Sequence, residues 1–242
     1  MTPSLIVPAA NQLLSRIPPQ ELAVFMMESE PVTLTFGDVL VEPGAVIEKV
    51  YFPIDSFISL IVGLDDGDTL EVTMAGREGM MGASLLLGVQ ESPLRALVQG
   101  GGAALCIEAA RFQSLLLTCP VLHKRLLRYL YVLMNQIAHT VACTHFHQVE
   151  ARLARWLLMT QDRAGSDSLQ LTHEFLAVML GVRRAGITQA ATALQARGVI
   201  RYHRGSITVI DRAGLVEASC GCYAHDCSLY AQVLGAPLDP SS

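Results

Sequence analysis

The apolar positions of this chain change their period twice, and each change predicts a different kind of element. Between residues 31 and 112 they fall in short β-rich runs: Val50-Tyr51-Phe52, 57–62, 69–74 and 94–99. Turn chemistry separates the runs, at Phe36-Gly37-Asp38, Glu42-Pro43-Gly44, Asp65-Asp66-Gly67-Asp68 and Gly76-Arg77-Glu78-Gly79. Short strands at this spacing predict an antiparallel roll, jelly-roll-like in its layout. A short helical segment over 11–28, interrupted by Pro18-Pro19, precedes it. Gly100-Gly101-Gly102 reads as an ordinary turn. From about 120 to 145 the period becomes helical. Leu126, Leu130, Leu133, Ile137 and Val141 step by 4, 3, 4 and 4, close to a coiled-coil seam. The next helix, 150–161, has core positions of its own at Leu153, Trp156 and Leu157. The earlier stripe is therefore expected to be the seam of a homodimer.

The second change comes at 171–210, LTHEFLAVMLGVRRAGITQAATALQARGVIRYHRGSITVI, which reads as helix, tight turn, helix and two-stranded wing. Thr172 is a suitable N-cap, and Glu174 suits the positive end of a helix. Phe175, Leu176, Met179 and Leu180 make an apolar stripe, and Gly181 allows the turn. Arg183 opens the second helix. Its inward face is Ile187, Ala190, Ala191 and Leu194; its outward face carries Arg184, Thr188, Gln189 and Thr192. Gly198 ends it, and two β-branched runs, 199–202 and 207–210, meet around Arg204-Gly205. A merely solvated face mixes Glu with Lys, whereas this one holds no acid. Arg can read guanine, Gln can read adenine, and Thr suits phosphate or a thymine methyl. Arg184, Thr188 and Gln189 are thus the expected base readers, with Thr172, Arg183, His203 and Arg204 on phosphates.

Charge adds to this picture. The 242 residues carry a net −5, which taken alone speaks against nucleic acid. Residues 148–212, however, hold nine arginines and five acids, so this stretch is at +4 and the remainder at −9. A basic module joined to an acidic body is the asymmetry a DNA-binding protein needs. Apolar content of 51% with 16% charged residues indicates a packed globule. The longest apolar runs are too short for a membrane span, and the N-terminus lacks a basic region ahead of an apolar one. A cytoplasmic location is the expectation.

Catalysis and metal chemistry find little support. A catalytic metal cup needs His and carboxylates on facing strands, and the first histidine, His123, comes after the roll. No enzyme activity, metal or cofactor is therefore expected, and any small-molecule effector is left unidentified. Two clusters have the residue types for sensing. Cys220, Cys222 and Cys227, with His225 among them, match no standard zinc-ribbon spacing and are expected to be structural or unpaired. His139, Cys143, His145 and His147 lie at a predicted hinge, with His139 and Cys143 at i, i+4. Ordinary hinge histidines are the expectation there.

The order of roll, long helix and winged helix resembles the Crp/Fnr family of bacterial transcription regulators. The resemblance is carried by FGDVLVEPGAVIEKVYF (36–52), REGMMGASLLLG (77–88) and LGVRRAGITQAATALQARGVI (180–200), and spans about 11–217. It implies an α+β chain with an N-terminal cyclic-nucleotide-binding-like roll (1–118), a dimerisation helix and hinge (119–147), a winged helix-turn-helix domain (148–219) and a cysteine-containing tail (220–242). It also implies a homodimer on a palindromic double-stranded site and contact with RNA polymerase. Cyclic-AMP-binding members carry Phe-Gly-Glu and, further on, Arg-Ser/Thr-Ala. Here the first element reads Met81-Gly82-Ala83-Ser84, so Ala83 replaces the ribose-binding Glu, and the second falls near Ser92-Pro93. Arg95 is close, but strand alternation leaves its direction open. These six positions, Met81, Gly82, Ala83, Ser84, Ser92 and Arg95, are the candidate effector pocket, and control by cyclic AMP is not expected. Members that read TGTGA-like half-sites carry Arg, Glu and Arg at positions that match Arg184, Ala185 and Gln189 here, so base preference should differ. The alternative is a non-catalytic sensor or scaffold whose helix-turn-helix has degenerated.

Overall fold

The computed structural model describes residues 11–65 and 67–235; residues 1–10, Asp66 and 236–242 lie outside it. The outer ends of the predicted roll and tail segments, and one residue of the Asp65–Asp68 turn, therefore fall beyond the described residues. The chain divides into two compact units, 1–60 with 74–132, and 61–73 with 133–242.

In the first unit the chain enters through helix α1 (Pro19–Glu28), with proline at its first position, where a missing N–H costs nothing. The predicted interruption at Pro18-Pro19 is the start of this helix. Strands β1 (Glu30–Leu34), β2 (Val39–Val41), β3 (Lys49–Pro53), β4 (Phe57–Gly63), β5 (Thr69–Ala75), β6 (Arg95–Gly100) and β7 (Gly102–Glu108) follow, residues 61–63 of β4 and 69–73 of β5 being counted with the second unit. They form a three-stranded sheet, β1-β7-β3, and a four-stranded sheet, β2-β6-β4-β5. β7 pairs antiparallel with both β1 and β3. The interior of this unit is aliphatic and aromatic, with Val50, Phe52, Ile58, Val98 and Leu105 fully buried. Phe25, Phe52 and Phe112 pack ring against ring. The four predicted strands are present. β1, β2 and β7 are additional, and 109–112 is helical, as the start of α2 (Ala109–Thr118).

The long helix α3 (Pro120–Phe146) belongs to both units, and its predicted apolar stripe is partly misassigned. Leu126 and Leu133 are buried within the single chain, and Leu130 and Ile137 are half-buried. Of the five predicted seam residues only Val141 is exposed. The exposed stripe lies one position round the helix, at Leu127, Tyr131, Met134, Ala138 and Val141, stepping by 4, 3, 4 and 3. Both stripes have helical spacing, and periodicity cannot tell which of two adjacent stripes the chain covers itself.

The second unit is built on α4 (Val149–Ala164), every residue of which from Arg152 to Arg163 is buried. Around it stand α5 (His173–Leu180), α6 (Arg184–Ala196), α7 (Arg212–Ala218), α8 (Cys222–Leu234) and a small sheet of β8 (Ser168–Gln170), β9 (Ile200–His203) and β10 (Ser206–Val209). Two of the buried charges in α4 are in ion pairs, while Arg152 and Arg163 donate to the Leu180 and Met159 carbonyls. Arg155 donates to Asp226 at 2.8 Å, and Asp162 accepts from Arg212 at 2.7 Å and from the Tyr223 hydroxyl at 2.9 Å. Leaving such a group without its partner would cost about 3–5 kcal/mol. These pairs fix α7 and α8 against the scaffold helix of the second unit.

Candidate nucleic-acid interface

Thr172 caps α5 as its sequence position predicts, its hydroxyl accepting the Phe175 N–H at 3.1 Å. That bond uses one acceptor site of a residue also expected on phosphate. Leu176, Ala177, Met179 and Leu180 turn inward, and Gly181 ends the helix at φ 60, a left-handed conformation in which a side chain would be strained. Arg183 is the N-cap residue of α6, one position before the helix proper begins at Arg184. Ile187, Ala190, Ala191 and Leu194 form its buried face, as expected. Arg184, Ala185, Thr188, Gln189 and Thr192 are exposed. A helix that buries one stripe on its scaffold and leaves Arg, Gln and Thr outward can lie in a major groove.

The outward face is more ordered than its sequence suggests. Thr188 Oγ1 donates to the Arg184 carbonyl at 3.1 Å and lies 3.0 Å from His173 Nδ1. The His173 ring stacks on Tyr202 at 4.1 Å, so the start of α5, the middle of α6 and the wing meet there. Burial, and then the charge of Arg184, push the His173 pKa down, which favours a neutral ring. Sequence reasoning missed His173 and Tyr202; only their spatial convergence reveals them. Gln195 Oε1 accepts the Tyr202 N–H at 2.8 Å and fastens α6 to β9. Arg204 (φ 46) and Gly205 (φ 81) form the tight β9–β10 turn, which presents Arg204 and His203 to solvent. β8 adds an unpredicted third strand to the wing.

The basic charge is less available than a count suggests. Arg152, Arg155 and Arg163 are interior, so three of the nine arginines cannot reach a phosphate. Arg183, Arg184, Arg197, Arg201 and Arg204 are exposed, with Arg197 held by Glu150 at 3.2 Å.

The Crp-like helix-turn-helix domain family matches residues 151–218, the span of this arrangement. A CRP-like cAMP-activated global transcriptional regulator of Mycobacterium tuberculosis is 22% identical over 210 residues, covering 83% of this chain and 93% of its own. Among solved structures, the c-di-GMP-responsive global regulator CLP of Xanthomonas campestris superposes with a TM-score of 0.66 at 17% identity. It covers 79% of this chain and 99% of its own. A CRP/FNR-family transcriptional regulator from Thermus thermophilus gives 0.63 at 22% identity, covering 78% of this chain and 98% of its own. Residues 151–218 thus match the Crp-like helix-turn-helix domain, and the chain shares its fold with solved Crp/Fnr-type regulators.

The candidate effector positions differ in burial and in what their side chains meet. Met81, Gly82 and Ala83 are buried, with Met81 and Tyr51 exchanging backbone hydrogen bonds at 2.9 and 3.2 Å. Ala83 begins a 3-10 helix, Ala83–Leu87, and brings a methyl group where cyclic-AMP-binding members resemble one another in having a carboxylate. Ser84 is half-buried. The Ser92 hydroxyl is spent on Leu94, donating to its carbonyl at 2.7 Å. Arg95 is exposed at the start of β6, and its Nε meets Glu42 at 3.3 Å. The strand direction left open in the sequence is therefore outward.

The two cysteine and histidine clusters are rearranged by the fold. Cys143 and His147 from one, and Cys220 and Cys222 from the other, converge so that their ligand atoms all lie within 4.8 Å of one another. Cys143 Sγ is 3.4 Å from Cys220 Sγ, and Cys222 Sγ is 3.7 Å from His147 Nδ1. The hydrogen bond between the two thiols holds the Cys220 pKa below the usual thiol value and pushes Cys143 up. The other members go elsewhere: His139 stacks on His225 at 3.8 Å, and burial pushes the Cys227 thiol up to about 11.

Proposed function

We propose that this chain acts as a homodimer that places two copies of α6 in successive major grooves of a palindromic site and regulates transcription without cyclic AMP. The observation that carries this reading is the acid-free outward face of α6, anchored by its buried stripe. Arg184 and Gln189 stand as base readers, with Thr188 fixed between them. Arg183, His203, Arg204 and the outer side of Thr172 serve the phosphates. The exposed heptad Leu127, Tyr131, Met134, Ala138 and Val141 is the seam. A paired site would then have half-sites about one helical turn apart.

The absence of a carboxylate at Ala83, the internal use of Ser92 and the outward Arg95 support independence from cyclic AMP. A buried cyclic phosphate would lack both its ionic partner and its ribose anchor. No helix among the described residues is long and apolar enough to cross a membrane. Work on DNA places the protein in the cytoplasm, with RNA polymerase as the partner that the family resemblance implies and with no catalysis of its own.

Selection from a randomised duplex pool, with and without cyclic nucleotides, tests the proposal. A palindrome enriched without nucleotide is the expected result. Enrichment only with cyclic AMP would overturn the reading of Ala83. No enrichment under any condition would favour a scaffold with a degenerate helix-turn-helix.

A further inference from the structure

We propose that Cys143, His147, Cys220 and Cys222 form a structural zinc site that clamps the last turn of α3 to the loop between α7 and α8. Four soft or borderline ligands whose donor atoms all lie within 4.8 Å of one another can surround a single ion. In a tetrahedron built from metal–ligand lengths of about 2.3 Å for sulfur and about 2.0 Å for nitrogen, the sulfur–sulfur edge is about 3.8 Å and the sulfur–nitrogen edge about 3.5 Å. The Cys143–Cys220 separation of 3.4 Å and the Cys222–His147 separation of 3.7 Å lie close to those edges. Ligands of a cluster holding several irons must stand farther apart to enclose it.

Local structure explains the convergence. Cys143 lies in the last turn of α3, and His147, the residue after the helix, donates its backbone N–H to the Cys143 carbonyl at 3.1 Å, which keeps the two on one face. Cys220 and Cys222 flank Gly221, the residue that caps α8, so the chain reverses with both sulfurs on the inner side. All three cysteines are buried, and Ala151 packs against them. Three thiolates and one imidazole favour zinc over hard cations, and four protein ligands leave no open position for a substrate. With Zn2+ the set keeps one net negative charge. Arg152 and Arg155 stand within electrostatic reach of these sulfurs and offset it. The clamp joins residues 77 positions apart, all in the second unit.

Cobalt substitution tests the site. Full-length protein, reduced and stripped with chelator, should take up one Co2+ per chain with the intense visible bands of tetrahedral coordination and a thiolate-to-cobalt band in the near ultraviolet. One equivalent of Zn2+ should bleach them and raise the thermal midpoint. Cys222→Ser should lose the spectrum while Cys227→Ser keeps it. His147→Cys should retain binding with a stronger thiolate band, a gain that a misfolded variant cannot give. The proposal is overturned if the reduced wild type gives no tetrahedral spectrum, or if Cys227→Ser abolishes binding and Cys222→Ser does not. An oxidant-free preparation whose mass is lighter by the two hydrogens of a Cys143–Cys220 disulfide would also overturn it. So would the broad visible absorption of an iron–sulfur cluster in anaerobic protein.

Discussion

Arg183 and Arg184 are neighbours with different tasks. Arg183 has an extended backbone ahead of the helix, where exposed N–H groups and the helix dipole already favour a phosphate. Arg184 sits in the first turn of α6, and its ion pair with Glu174 at 3.7 Å is solvent-exposed and weak enough to yield to a base. Arg184→Ala should therefore cost about 1–3 kcal/mol on the selected site and relax the preference at one guanine. Arg183→Ala should weaken selected and scrambled duplexes by the same factor. Titration of both variants on both duplexes checks this, and equal losses on the two duplexes for Arg184→Ala would end the division of roles. At this scale the local chemistry was legible: Thr172 as cap, Gly181 as turn and the buried face of α6 all follow from neighbouring residues. The His173–Thr188–Tyr202 contact and the Cys143–Cys220 pair were not legible, because residues far apart in sequence meet only through packing.

Among the elements, α3 shows how far periodicity reaches. A stripe at helical spacing declares a buried face without naming what buries it. Leu126 and Leu133 are used by the chain's own core, and the neighbouring stripe through Tyr131 and Met134 is left to solvent. Two substitutions one residue apart should then fail differently. Met134→Asp places a charge in the proposed seam without touching the core, so the protein should remain folded and sediment as a monomer. Leu133→Asp buries an unpaired carboxylate and should lower stability by several kcal/mol, in whatever oligomeric state. Circular dichroism melts beside sedimentation velocity separate the two. A folded dimer for Met134→Asp would remove this stripe from the interface. The strands missed in the roll, β1, β2 and β7, have a similar origin. β2 is three residues long, and Gly100-Gly101-Gly102 conceals the join between β6 and β7.

At the scale of the whole molecule, charge decides how strongly DNA is held and how salt affects it. The net −9 on the rest of the chain disfavours a duplex away from the basic module, so non-specific adhesion should be weak. The nine arginines of 148–212 would suggest a very steep salt dependence if all were at the surface. Three of them instead lie in α4. Arg155, the one paired to Asp226, shows where their charge goes: into holding the module together. Of the other six, Arg184 is assigned to a base and Arg212 is paired with Asp162, which leaves Arg183, Arg201 and Arg204 for phosphates, with Arg197 available if it releases Glu150. Two protomers would then neutralise roughly six to eight phosphates, and the slope of log K against log salt should be about −5 to −7. Fluorescence anisotropy on the selected palindrome across a series of salt concentrations measures it. A slope near half that value means one protomer binds alone and the dimer seam is not used on DNA. A slope much steeper than about −10 means basic groups outside the winged helix join the contact, and the acidic remainder of the chain does not steer the complex as its charge implies.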